Sequence, residues 1–477
     1  MRRFVTLAIG TVALVAMPAF AHKTYSHQKY FQHYEGTKTC LQCHKMQAKT
    51  FFHSQHYQWK AVASNVVDEH GKRVMQQYGK INMVNDYCTN PMPVWLHEYK
   101  NKDGKVVEDG CSKCHAGRGL VPSEKMSDKQ LLNIDCLICH ASGYRRGLYP
   151  DANGHLAWRP ILWKNRVGLD SVSKRISLPT RTMCLRCHAG SGGGPNFKRG
   201  DLEYKLTDCD SNFDVHMAKD GNDMQCIDCH AGKDHKIPGP GADIAGNEMP
   251  TKKVACNSED CHGNAPHEAE ILNIHAKKVY CTVCHIPEFA KADATNMVRD
   301  WSKDHYSQKK GKYTYAGTWQ KDVTPVYRWY NGTSYMQLPG KKVRLDAKGE
   351  IMVAVPQGSR TDPKSKIYAF KEYHAVMPVL NGKGWILPIE TGYFYITDDM
   401  KGAVQRAAKQ FYGIKDAQFT WKKTVHYQGI FHEVEPASHA LQCLDCHGPN
   451  GRMHWKELGY SGDPMLAMVK ASHKVAD

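Results

Sequence analysis

Sixteen of the eighteen cysteines fall into eight pairs, and each pair is followed at once by a histidine. The pairs are Cys40/Cys43-His44, Cys111/Cys114-His115, Cys136/Cys139-His140, Cys184/Cys187-His188, Cys226/Cys229-His230, Cys256/Cys261-His262, Cys281/Cys284-His285 and Cys443/Cys446-His447. Seven read C-x-x-C-H, and the sixth has four residues between its thiols. Two thiols at this spacing reach two vinyl groups of one porphyrin while the next imidazole reaches its iron, which is the signature of covalent haem attachment. A zinc ribbon needs two cysteine pairs sharing one metal and leaves the recurring histidine unexplained. The expected cofactors are therefore eight c-type haems, and calcium has no motif to support it.

Each iron that only carries electrons needs a second axial ligand. Nineteen histidines remain after the eight motif residues, and seven stand out by position: His27, His56, His216, His235, His267, His275 and His439. On one continuous helix His267 and His275 would lie about 12 Å apart, too far to share an iron. Seven candidates for eight irons leave one centre where chemistry could occur.

The chain opens with Met1-Arg2-Arg3, an apolar run from Phe4 to Met17 and then Pro18-Ala19-Phe20-Ala21, the pattern of a secretory signal over 1–21. The run is too short for a membrane span, and no later segment approaches that length. We therefore expect a periplasmic protein with no membrane span after signal removal. The formal charge is +17. In isolation that excess suggests an anionic partner, but eight haems with ionised propionates carry a net charge of about −8 when ferric and about −16 when ferrous, which offsets much of it, and added electrons raise neighbouring pKa values. Nucleic acid is not an expected partner for an exported protein.

Three stretches follow the signal. Residues 22–288 hold the first seven motifs, separated by short loops without a fixed repeat, and read as a haem-packed core. Residues 289–430 hold no motif and are rich in aromatic and β-branched residues. There, Val326 to Tyr335 with Asn331-Gly332 at its centre, and Val343 to Val355 around Lys348-Gly349, suggest hairpins. Ala403, Val404, Ala407, Ala408 and Phe411 recur at helical spacing, with Asp398 or Asp399 as cap and Gly413 as stop. Residues 431–477 carry the eighth motif. The expected fold class is mainly α with extensive loops, a multihaem cytochrome c fold around eight packed haems, plus a smaller haem-free segment with β-hairpins. The turn Gly192-Gly193-Gly194-Pro195 reads as a close backbone approach to a porphyrin rather than a phosphate loop.

Eight motifs in this order, with C-x4-C-H in sixth place, resemble the octahaem tetrathionate reductase family of c-type cytochromes, related to hydroxylamine oxidoreductases and multihaem nitrite reductases. Supporting stretches are Pro179-Thr180-Arg181-Thr182-Met183-Cys184 through His188, Phe197-Lys198-Arg199-Gly200-Asp201, Cys443 through His447, and Leu458-Gly459-Tyr460. No C-x-x-C-K motif occurs. The resemblance implies a catalytic haem at the second motif that keeps His115 and takes a lysine on its other side, with Lys174 in the matching position. It also implies reduction of a small anionic sulfur or nitrogen species, tetrathionate first and nitrite or hydroxylamine as alternatives, with electrons from a periplasmic or membrane-bound cytochrome. Architecture alone does not select the substrate. A conduit with bis-histidine ligation throughout is the non-enzymatic alternative. Cys88 and Cys209 belong to no motif: they either pair or lie buried, or Cys88 serves near the catalytic haem as a thiolate able to attack a sulfur–sulfur bond.

Overall fold

The computed structural model describes residues 24–89, 95–96, 99–106, 110–150, 153–239 and 241–468. The predicted signal lies outside these residues. Over the motif-rich half, regular structure is brief, because each C-x-x-C-H unit needs only one helical turn to set two thiols side by side. Helices such as Leu137–His140, Cys226–Cys229, Thr282–His285 and Cys443–Cys446 are four residues long. Two of these turns are closed by reciprocal side-chain caps, Gln225 with Asp228 and Gln442 with Asp445. Turns this short are not stable on their own, so what they pack against decides their position.

The haem-free segment builds an eight-stranded sheet. Its strands are β1 (Val66–Val67), β2 (Thr295–Ser307), β3 (Lys312–Gln320), β4 (Val326–Tyr330), β5 (Ser334–Met336), β6 (Ile351–Pro356), β7 (Lys366–Leu380) and β8 (Phe419–Gly429). They run in the order β1-β5-β6-β8-β7-β2-β3, with β4 also paired to β7. The central pair β7–β8 is antiparallel from Phe370 opposite Gly429 to Leu380 opposite Phe419. β1 comes from the motif-rich half and pairs parallel with β5, stitching the two halves together.

The expected haem-free sheet region is present, and its connections differ from the two predicted hairpins. The Asn331-Gly332 turn joins β4 to β5, yet β4 pairs with β7 and β5 with β6, so the turn hands the chain from one part of the sheet to another. Around Lys348 and Gly349 the turn is tight, closed by a single bridge between Leu345 and Ile351. The long hairpin of the sheet is β2–β3, whose tip is 308–311. The predicted helix spans Met400–Tyr412, with the Asp399 carboxylate accepting from Gly402 N–H and Gly413 closing it at φ 71°. Its buried face, Ala403, Val404 and Ala408, packs with Ile351, Val353, Tyr373, Ala375, Met377 and Phe394. Small side chains there let the helix lie close to the sheet. No helix among the described residues is long and apolar enough to cross a membrane.

Candidate haem-binding site

Histidine rings are brought together in facing pairs across one repeated gap. His27 faces His44 at 6.2 Å between ring centres, His56 faces His188 at 6.2 Å, and His235 faces His140 at 6.4 Å. His216 faces His262 at 6.1 Å, and His432 faces His230 at 6.3 Å. His267 faces His285 at 6.2 Å, and His275 faces His447 at 6.3 Å. Two imidazoles bound to one iron at about 2.0–2.1 Å, with about 1.15 Å from each ring centre to its nitrogen, would stand about 6.3 Å apart. All seven gaps therefore fit an axially ligated metal, and a pair of loosely packed rings has no reason to repeat that value.

The other ring nitrogen is tied down in half of these residues. Nδ1 of His140 lies 3.0 Å from Ser177 O, that of His230 2.9 Å from Pro238 O, and that of His275 2.8 Å from Ile271 O. His235 Nδ1 lies 2.8 Å from Thr50 Oγ1. Two meet carboxylates, His432 with Asp201 at 3.0 Å and His447 with Asp463 at 2.7 Å. A bond at Nδ1 orients the ring and leaves Nε2 for the metal. Burial lowers the pKa of His56, His140, His216, His230, His235 and His285, and takes His188 to about 3, which favours the neutral form that can ligate.

The thiols converge as well. Those of the first six motifs line one cavity of about 3610 Å³, several times the about 300–1,000 Å³ of a small-molecule pocket. Cys40 meets Cys136, Cys114 meets Cys187, Cys184 meets Cys226, and Cys256 meets Cys281. Cys139 lies within electrostatic reach of Cys184, Cys229 of Cys261, and Cys284 of Cys446. The fourth motif thus neighbours the second, third and fifth, and the run continues through the sixth and seventh to the eighth.

The second motif differs from the rest. Cys111 and Cys114 line the cavity like the other thiols. His115 is fully buried, its Nε2 lies 2.7 Å from the Tyr57 carbonyl, and its Nδ1 accepts from Gly117 N–H at 3.0 Å. Its ring neighbours are Trp95 at 4.6 Å, Tyr57 at 5.0 Å and Trp59 at 5.8 Å. Burial takes its pKa to about 3. Among the described residues no histidine faces it across a ligation gap, and because Nε2 donates to the Tyr57 carbonyl the ring must turn from that bond to reach an iron.

Two expectations change, and the open choice at Cys88 and Cys209 falls on burial for Cys209. His439 is not opposite a motif ring: its Nδ1 lies 3.4 Å from Glu435, and His432 occupies the position across from His230. The reason is local, since the chain leaving β8 is held by Asp201, which accepts from Phe431 N–H and meets His432 Nδ1. Lys174 does not join His115. Its Nζ donates to Gln32 O at 2.8 Å beside the Phe31 ring, and its carbonyl accepts from His27 N–H, so it braces the first haem's distal segment. Cys88 and Cys209 are both free rather than paired. Cys209 is buried with Leu185, Ala189, Leu206 and Ala218, while Cys88 lines the cavity.

The Cys88 loop is clamped from several sides. Asp86 accepts from Thr424 Oγ1 at 2.9 Å and lies 2.8 Å from His426 Nδ1, and Tyr87 O accepts from Arg299 at 2.9 Å. Arg299 stacks between Tyr87 at 4.2 Å and Tyr315 at 4.6 Å and also donates to Gly192 O, tying the glycine turn after the fourth motif to this loop. The same β2–β3 hairpin brings Lys309, Lys310 and Lys312 to the cavity wall.

The family described as Cytochrome c bacterial matches residues 276–450. A protein of Archaeoglobus fulgidus described as uncharacterized is 33% identical over 287 residues, 49% of this chain and 90% of that protein. The crystal structure of octaheme cytochrome c from Shewanella oneidensis superposes with a TM-score of 0.72 at 30% identity, covering 90% of this chain and 94% of that one.

Proposed function

Because this chain belongs to the octahaem family of c-type cytochromes that its motifs resembled, we propose that it is a periplasmic reductase whose reducing end is the second motif, with tetrathionate as substrate. Haems held at the motifs supply storage and transfer of single electrons. The observation that carries the reading is the contrast between seven facing imidazole pairs and His115, which has none among the described residues. Two histidines saturate an iron and restrict it to passing electrons, whereas a centre lacking the second histidine is open to a substrate. The thiol contacts support a route in which the fourth motif collects electrons from its neighbours and delivers them to the second.

Tetrathionate is a dianion, and two electrons break its central sulfur–sulfur bond to give two thiosulfates. Arg299, Lys309 and Lys310 on the cavity wall oppose that charge and the added charge of the products. Cys88, on the cavity wall, offers a route by exchange: its thiolate would displace one thiosulfate to form a Cys88–S–S–SO3⁻ adduct, and two electrons from the haems would then release the second thiosulfate and restore the thiolate. The donor is a periplasmic or membrane-bound cytochrome. The test is turnover of dye-reduced protein with tetrathionate, nitrite and hydroxylamine under matched conditions. Tetrathionate is expected to be reduced fastest. Preference for nitrite or hydroxylamine would move the substrate to nitrogen, and inactivity toward all three would leave a non-enzymatic electron conduit.

A further inference from the structure

The facing histidine pairs do not share one second partner, and the difference bears on where electrons rest. Most bonded Nδ1 atoms meet neutral oxygens, as His140 does at Ser177 and His230 at Pro238. His56 and His267 have buried Nδ1 atoms with no partner. His447 instead meets the Asp463 carboxylate at 2.7 Å. A carboxylate draws the Nδ1 proton toward itself and makes the imidazole a stronger donor at Nε2, which favours the ferric over the ferrous iron. Its negative charge acts in the same direction.

Asp214 stands 4.0 Å from His216 Nδ1, too far to draw its proton, and the other carboxylate within hydrogen-bond reach of a paired ring is muted. Asp201, beside His432, also faces the Arg199 guanidinium at 3.3 Å. Among the described residues Asp463 meets no such cation: besides His447 it accepts from Gly448 N–H at 2.6 Å and Met465 N–H at 2.9 Å. Its side chain is 8% exposed. His275, across the gap, is tied to the Ile271 carbonyl, which adds donor strength from the opposite side. The eighth motif also stands at one end of the run of thiol contacts, next to the seventh alone.

We infer that Asp463 is a positioning residue that lowers the reduction potential of the haem held by Cys443, Cys446 and His447, making it the low-potential end of the chain. The inference rests on the imidazole pairing and not on the choice of substrate. Potentiometric titration followed by electron paramagnetic resonance tests it without any substrate, so a failed reductase assay leaves it standing. The His275 and His447 planes are 79° apart, and near-perpendicular imidazoles give a ferric signal of large g value. Two other pairs are similarly crossed, His140 with His235 at 88° and His216 with His262 at 76°.

In the unaltered protein, one of these three signals should persist to lower potential than the other two. In Asp463→Asn that signal should titrate higher by about tenfold in its equilibrium constant, which is 59 mV for one electron, with the rest unmoved. Asp463→Glu should restore the low value. An unchanged potential in Asp463→Asn overturns the inference. Should that variant lose the haem, the unaltered protein still decides, because three crossed signals titrating together would overturn it.

Discussion

His432 and His439 lie on the same stretch leading to the last motif, and only His432 turns its ring toward His230. His432→Ala should therefore remove one bis-histidine signal from the ferric spectrum, while His439→Ala should leave all of them. The reverse outcome would contradict the pairing. Lys174→Ala should leave the spectrum of the second centre unchanged, because the Lys174 amine is engaged with Gln32; a change confined to that centre would restore lysine as its ligand. The motif histidines were legible because covalent spacing fixes them within five to seven residues. Their partners are set by tertiary contact. Nearness to motifs singles out His27, His56, His216, His235, His267 and His275, whose rings stand opposite motif rings, but His432 is placed by the exit of a strand and by Asp201, which is 231 residues away. No local signal marks it.

At the scale of elements, the helix Met400–Tyr412 rests on the sheet through fully buried alanines. Ala408→Leu should lower the unfolding free energy by about 1–3 kcal/mol through overpacking, read from denaturant titration; no loss would mean that the face is looser than its burial implies. The sheet also carries a pH signature. His374 on β7 lies 3.3 Å from Glu372 and 3.0 Å from Glu350. The bond to Glu372 raises the His374 pKa despite burial, while His374 and then Arg328 hold Glu372 down at about 2 against burial. The raised histidine stabilises fully below its unfolded pKa of about 6.5 and loses that effect as pH climbs through the folded value. The depressed carboxylate stabilises above about 4.3 and loses its effect as pH falls toward its folded value. Melting temperature should accordingly drop between pH 5.5 and 8.5, and drop less in His374→Gln; equal drops would exclude this pair as the cause. The helix was readable from its apolar spacing and caps. The strand pairings were not, because an Asn-Gly turn specifies a reversal of the chain and leaves open which strand the reversed chain will join.

For the molecule as a whole, a cavity of about 3610 Å³ among the described residues means that side chains alone do not fill the interior. The exposed Ile271, Leu272 and Ile274 on the helix carrying His275, and Leu444 within the eighth motif, have the same explanation, since a bound porphyrin would cover apolar groups near its ligands. Replacing Cys184 and Cys187 together by alanine should therefore destabilise far more than two surface changes, by removing the centre at the junction of the network. A melting temperature unchanged in that variant would contradict a haem-built core. The central claim is seven bis-histidine centres and one that differs. Near-infrared magnetic circular dichroism of the fully oxidised protein, calibrated against total haem, counts them directly. Seven bis-histidine haems for every eight are predicted; eight of eight would contradict the account.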